Sequence, residues 1–123
     1  MSVKTLPHDH GHSGHLDFDH MPEAADFAVL SDTFKLLSDS SRVKIFWLLC
    51  HCEECVINLS AMMEMSSPAV SHHLRQLREA GLIISRREGK EVYYKASEEP
   101  AAAALHTMIE ELLTISCPME NEA

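Results

Sequence analysis

Three cysteines, Cys50, Cys52 and Cys55, fall within six residues, with His51, Glu53 and Glu54 between them. Thiolates are soft ligands, and three so close together suit zinc, cadmium, lead or arsenite. A histidine from elsewhere would complete a tetrahedral zinc- or cadmium-type site. In a reducing compartment such a cluster points to metal binding or redox sensing rather than to a structural disulfide. The competing reading packs them as small hydrophobes, and Cys50, which continues an apolar run, suits that role best. Histidines are plentiful near the N-terminus: His8, His10, His12, His15 and His20, interleaved with Asp9, Asp17 and Asp19. Neutral imidazoles in such a tract bind borderline metals, although a merely polar tail has the same composition.

A second set of side chains has the chemistry of nucleic-acid contact. Over Met65 to Gly81, MSSPAVSHHLRQLREAG, the residues Val70, Leu74 and Leu77 form one apolar stripe at helical spacing. Ser71, His72, His73, Arg75, Gln76 and Arg78 point away from that stripe. Gln76 and the arginines can pair with base edges, Ser67 and Ser71 with phosphate oxygens. His72 and His73 are adjacent and must lie on different faces, so one of them is open to being a packed core histidine.

The elements that would position these groups follow from periodicity. Pro22 to Ser38 reads as an amphipathic helix on Phe27, Leu30, Phe34 and Leu37, and Asp39-Ser40-Ser41 as a break and N-cap. A second helix is expected from Ser41 to Leu49 and a short third from Val56 to Met63. Ser66 or Ser67 caps the next, Pro68 sits in its first turn and Gly81 stops it. Leu82 to Ala96 changes to strand character around Glu88-Gly89, a β-hairpin with Arg86, Arg87 and Lys90 at its tip. Pro100 opens a last helix, Ala101 to Ile115, with Leu105, Met108, Ile109, Leu112 and Ile115 on one side. The order predicts a mainly α fold with a small β-hairpin, a winged helix-turn-helix over residues 21–117. Its additional N- and C-terminal helices are amphipathic, as a dimer interface requires. Residues 1–20 read as a flexible His/Asp-rich arm and 118–123 as a tail.

At 123 residues and 46% hydrophobic content the chain suits one globular domain. Its net charge of −9 argues against nucleic acid, but the distribution argues for it. Arg75, Arg78, Arg86, Arg87, Lys90 and Lys95 crowd the Ser67–Lys95 stretch, and local potential governs docking on phosphates. No apolar run approaches the roughly 18–20 residues of a membrane span, and Met1 to His20 lacks the order of a secretory leader. The expectation is a soluble, cytoplasmic chain with no membrane partner.

With helix order, basic wing and motifs in place, the sequence resembles the ArsR/SmtB family of metal-responsive bacterial repressors, closest to its cadmium, lead and zinc sensors. Ser40-Ser41-Arg42, the run Ser67 to Leu77 with its Ser-His-His-Leu core, Gly81-Leu82-Ile83 and the wing Arg87 to Tyr94 carry the resemblance. It implies a homodimer that binds palindromic double-stranded operator DNA and releases it when metal binds. On this resemblance Ser67, Ser71, His72, His73, Arg75, Gln76 and Arg78 belong to the recognition helix, and Arg86, Arg87 and Lys90 to the wing. Cys50, Cys52 and Cys55 fall near the family's ligand cysteines, and His8, His10, His12 and His15 are the arm ligands it implies. The arsenic sensors' Cys-x-Cys-x-x-Cys spacing recurs here five residues towards the N-terminus, which favours zinc, cadmium or lead over arsenite. The family's second site, on the last helix, maps onto Glu98, Pro100, Glu111 and Thr114, of which only the glutamates can serve. His106 and Glu110 are expected as a solvated i, i+4 pair, and Cys117 as an extra thiolate without supporting spacing.

Two other classes compete: a thiol-based redox or reactive-sulfur (or arsenite) switch on the same fold, and a metal-storage protein with no DNA partner. No phosphate loop or nucleophile elbow supports an enzyme.

Overall fold

The computed structural model of the protein describes residues 7–8 and 20–116. His10, His12, His15, Cys117 and the 118–123 tail lie outside the described residues. The fold divides between Asp32 and Thr33, and the packing that follows is that of the Thr33 side.

Helix α1, Ala24–Leu36, starts two residues after the proline that was expected to open it. The Asp26 carboxylate accepts the Glu23 backbone N–H at 2.9 Å, which closes a turn before the helix begins. Helix α2, Ser40–His51, is capped by Asp39, whose side chain accepts the Arg42 N–H at 3.0 Å. It runs two residues beyond the expected Leu49. Cys50 and His51 are therefore helical, and Cys52 is the C-cap, its N–H bonded to the Leu48 carbonyl at 2.9 Å.

Glu54–Cys55 forms a strand, β1, that the sequence pattern did not reveal. It pairs antiparallel with the wing, Glu54 opposite Tyr94 and Cys55 opposite Tyr93. Two residues carry no readable alternation, so such a strand is visible only through its partner. Helix α3, Val56–Met63, ends at Glu64, which adopts φ +54°. The Met65 N–H then reaches back to the Ser60 carbonyl and the Glu64 N–H to Ala61, a Schellman closure that makes the sharp turn into the next helix.

Helix α4, Ser67–Glu79, is capped by the Ser66 hydroxyl, which accepts the Ala69 N–H at 3.3 Å, with Pro68 in the first turn. Its other end repeats the Schellman pattern on Gly81 (φ +78°), through Leu82 N–H to Leu77 and Gly81 N–H to Arg78. Strands β2, Ile83–Glu88, and β3, Glu91–Ala96, meet in register from Ile83–Ala96 to Glu88–Glu91 around Gly89-Lys90. Gly89 at φ +64° supplies the left-handed first position of that two-residue turn. The sheet order is β1-β3-β2. Helix α5, Pro100–Ser116, closes the chain.

One core holds α2 through α5 together. Ile45, Phe46 and Leu49 of α2 meet Leu59 of α3, Val70, Leu74 and Leu77 of α4, Leu82 and Ile83 of the hairpin, and Ala102, Leu105 and Ile109 of α5. Burying a residue of this size contributes about 1.5–3 kcal/mol, so the helix-turn-helix and its wing are fixed by packing rather than by the turns alone. On α1 Phe27, Leu30 and Phe34, and on α5 Leu112, Leu113 and Ile115, stay exposed.

Candidate functional site

The exposed side of α4 carries Ser67, His72, Arg75 and Arg78, with Ser71 half-buried beside them. His73, a sequence-level candidate for DNA contact, is buried instead, at 9% exposure. It lies between the apolar stripe and the start of α2. The Arg42 guanidinium donates to its Nδ1 at 3.4 Å, so that nitrogen is the acceptor and the proton sits on Nε2, 3.9 Å from an Asp39 carboxylate oxygen. Burial pulls the His73 pKa down; Asp39 opposes that shift, while Arg42 and His72 add to it. Asp39 is itself held low, first by the Arg42 backbone N–H it accepts as helix cap.

Arg42, marked in the sequence only by the Ser40-Ser41-Arg42 run, joins α2 to α4. Its Nε donates to the Leu36 carbonyl at 2.5 Å and its other arm to the Gln76 side-chain oxygen. The Gln76 carbonyl is thereby occupied and its NH2 group left as a donor. The start of α2 thus sets the rotamer of a side chain on α4.

At the wing, Arg87 and Lys90 are exposed, whereas Arg86 is engaged. Its guanidinium makes a two-bond pair with Glu53, 2.9 and 2.8 Å, and reaches Glu88 at 2.7 Å, lying 4.9 Å above the Tyr93 ring. These contacts raise the Arg86 pKa and lower that of Glu53. Because Glu53 stands between Cys52 and Cys55, the pair and the β1–β3 pairing bolt the cysteine segment to the wing.

The three thiols differ. Cys50 packs against the core, and burial, with the Glu110 charge, pushes its pKa up to about 11. The Cys52 thiol donates to the Leu48 carbonyl at 3.2 Å and is also raised, by burial and then by Glu54. Cys55, at the N-cap position of α3, makes no side-chain cap bond. All three are free thiols. They do not form one preformed tridentate site: among the described residues, the group of three or more ligand side chains that does converge is His51, His106 and Glu110. The expected solvated pair on α5 is therefore joined by a histidine from α2. Its signal in the sequence was two i, i+4 polar-aromatic pairs, Trp47 with His51 and His106 with Glu110, but nothing in spacing tells that they face each other. His8 and His20 are exposed.

Helices α2 to α5 around one core, a helix-turn-helix within them, a two-stranded wing beside the second helix of that motif, and basic side chains on both define a winged helix-turn-helix domain. Residues 39–85 match the bacterial regulatory protein, arsR family. The arsenic resistance transcriptional regulator ArsR2 of Pseudomonas putida is 36% identical over 92 residues, 74% of this chain and 76% of that protein. The chain belongs to the arsR family. A cadmium resistance transcriptional regulatory protein CadC homolog of Staphylococcus aureus is 42% identical over 71 residues, 57% of this chain and 59% of its own. The structure of HlyU from Vibrio cholerae superposes with a TM-score of 0.66 at 30% identity, covering 77% of this chain and 99% of that one. The chain spans between 52% and 62% of the length of several curated relatives that it matches. No helix among the described residues is long and apolar enough to cross a membrane.

Proposed function

We propose that the protein is a homodimeric transcriptional repressor of the cytoplasm. It binds double-stranded operator DNA and releases it when a thiophilic or borderline metal ion, zinc, cadmium or lead, engages the cysteine segment. The names of its relatives point to arsenic and cadmium resistance, which supports a metal effector. In this reading Ser67, Ser71, His72, Arg75, Gln76 and Arg78 face the major groove, and Arg87 and Lys90 the flanking phosphates. His73 and Arg86 act from behind, as residues that hold the reading surface in place. The exposed apolar side chains of α1 and of α5 supply what a dimer would cover.

The observation that carries the effector reading is the attachment of the Cys52–Cys55 segment to the wing, through Glu53–Arg86 and β1–β3. A ligand that redraws that segment must move either the wing or its bond to it. Cys52 and Cys55 are the thiols positioned for this, with further ligands from elsewhere, and Cys50 serves the core. Burial raises the pKa values of Cys50 and Cys52, most strongly at Cys50, which suits Cys50 to the core.

Fluorescence anisotropy on the duplex upstream of the protein's own gene tests this. Zinc, cadmium or lead should weaken binding at least tenfold in wild type, a coupling of about 1.4 kcal/mol. Cys52→Ser/Cys55→Ser should abolish the response to cadmium and lead, and Cys50→Ser should keep it. DNA affinity indifferent to all three metals, or an unchanged response in the double variant, would overturn the reading.

A further inference from the structure

The converging group at the other end of α2 uses different chemistry from the cysteines. His51 Nε2 and His106 Nε2 both face Glu110 Oε1, at 2.9 and 3.0 Å, and lie 3.3 Å from each other. The indole N–H of Trp47 donates to the same carboxylate oxygen at 3.0 Å, and its ring lies 4.5 Å from that of His51. The His106 ring meets His51 edge-on at 5.0 Å. We propose that His51, His106 and Glu110 form a second metal site, for a borderline divalent cation of the zinc class, which pins the end of α2 to α5.

The geometry fits such an ion closely. A tetrahedral ion with bonds of about 2.0–2.1 Å to nitrogen and oxygen separates its ligands by about 3.3 Å. The three edges here are 2.9, 3.0 and 3.3 Å. A small cation about 1 Å off the plane of the three atoms reaches all of them at ordinary zinc–ligand distances. Each imidazole then offers its Nε2 lone pair and carries its proton on Nδ1. Trp47 becomes the outer hydrogen-bond donor that orients the carboxylate. Side-chain exposures of 46%, 32% and 43% for His51, His106 and Glu110 leave the fourth position open to water.

The donor set also selects. Two imidazoles and a carboxylate, with no thiolate, suit zinc, cobalt and nickel; cadmium, lead and arsenite prefer sulfur, and calcium and magnesium prefer oxygen. Cadmium and lead therefore fall to the cysteines, cobalt and nickel to this cluster, and zinc is open to both. Neither needs the other, and the cluster's binding does not depend on the DNA reading.

Trp47, the only tryptophan in the chain, reports on the site directly. The full-length chain with Cys50, Cys52, Cys55 and Cys117 all changed to serine should still bind zinc with a change in Trp47 emission. Cobalt(II) should quench that emission and develop the visible absorption of a thiolate-free tetrahedral complex. His51→Ala, His106→Ala and Glu110→Gln in that background should each lose more than about tenfold in zinc affinity read at Trp47, since removing even an outer-shell partner costs that much. Far-UV circular dichroism confirms that each variant is folded; should the serine background not fold, the same three single variants are read in the wild-type chain. Zinc binding that leaves Trp47 unchanged, or a Trp47 response that survives His51→Ala and His106→Ala, overturns the proposal, because the three ligand atoms would then be only a hydrogen-bonded cluster.

Discussion

Arg42 links the start of α2 to α4, and its removal has a cost that can be worked out. Arg42→Ala deletes a charge-assisted bond to the Leu36 carbonyl and another to the Gln76 oxygen, along with the weaker approach to His73 at 3.4 Å. A hydrogen bond to a charged group contributes about 1.5–3 kcal/mol, and these are only half-buried, so the lower half of that range applies to each. The expected loss is about 3–4 kcal/mol. For a domain of this size each kcal/mol shifts the melting temperature by about 4–8 °C, which makes the change large in a thermal melt and clear in urea unfolding. Arg42→Lys keeps the charge but not the fork and should recover less than half of it. In a double-mutant cycle, adding Gln76→Ala to Arg42→Ala should cost about 1 kcal/mol less than Gln76→Ala alone, because the shared bond is already gone. Stability of Arg42→Ala within about 0.5 kcal/mol of wild type, or strict additivity in the cycle, would refute the role assigned to this residue.

Three further outcomes are expected. The folded protein holds the buried His73 neutral below its ordinary value near 6.5. The unfolded chain therefore takes up that proton first, and stability is full above pH 6.5 and declines as pH falls towards the lowered native value. Chemical denaturation from pH 7.5 down to 5 should show that decline, and His73→Gln should flatten it relative to wild type. Glu64 and Gly81 both sit at positive φ with opposite consequences. Gly81→Ala meets no atom within 4 Å, so its cost of about 1–2 kcal/mol is backbone strain alone, while Glu64→Gly should be neutral to about 1 kcal/mol stabilising; urea midpoints measure both. Finally, wild type should sediment as a dimer, and Leu112→Glu/Ile115→Glu on the exposed side of α5 should give a folded monomer with the helical signal kept.

The parts of the fold that the sequence disclosed are those with long periodic signals. Val70, Leu74 and Leu77 form the buried stripe of α4, and Gly81 and Gly89 stand at the turns that needed them. What stayed hidden depends on contacts between distant segments. β1 exists because Tyr93 and Tyr94 offer an edge to Glu54 and Cys55, and no two-residue pattern announces that. The choice between His72 and His73 needed the direction of the apolar stripe relative to α2, which only packing supplies. Arg86 looked like a wing-tip cation until Glu53, 33 residues away, was found to hold it. His51 carries no signal of its own in the sequence because its hydrogen-bond partners lie 55 and 59 positions further on.

These hidden contacts share one element. At its start α2 grips α4 through Asp39, Arg42, His73 and Gln76; at its end it presents His51 to α5 and continues, through Cys52 and Glu53, into the segment bolted to the wing. A helix of twelve residues is about 18 Å long and stiff, so a displacement at one end is delivered to the other rather than absorbed. A ligand at His51, His106 and Glu110 and a ligand at Cys52 and Cys55 would therefore act on the DNA-facing surface by different routes, the first along α2 to Gln76, the second across Glu53–Arg86 to Arg87 and Lys90. Glu53→Gln separates the routes, since it weakens the second, which keeps only its β1–β3 pairing in full, and leaves the first. In that variant the response of DNA affinity to cadmium should fall while the response to cobalt persists, and equal loss of both would mean that α2 and the wing move as one body.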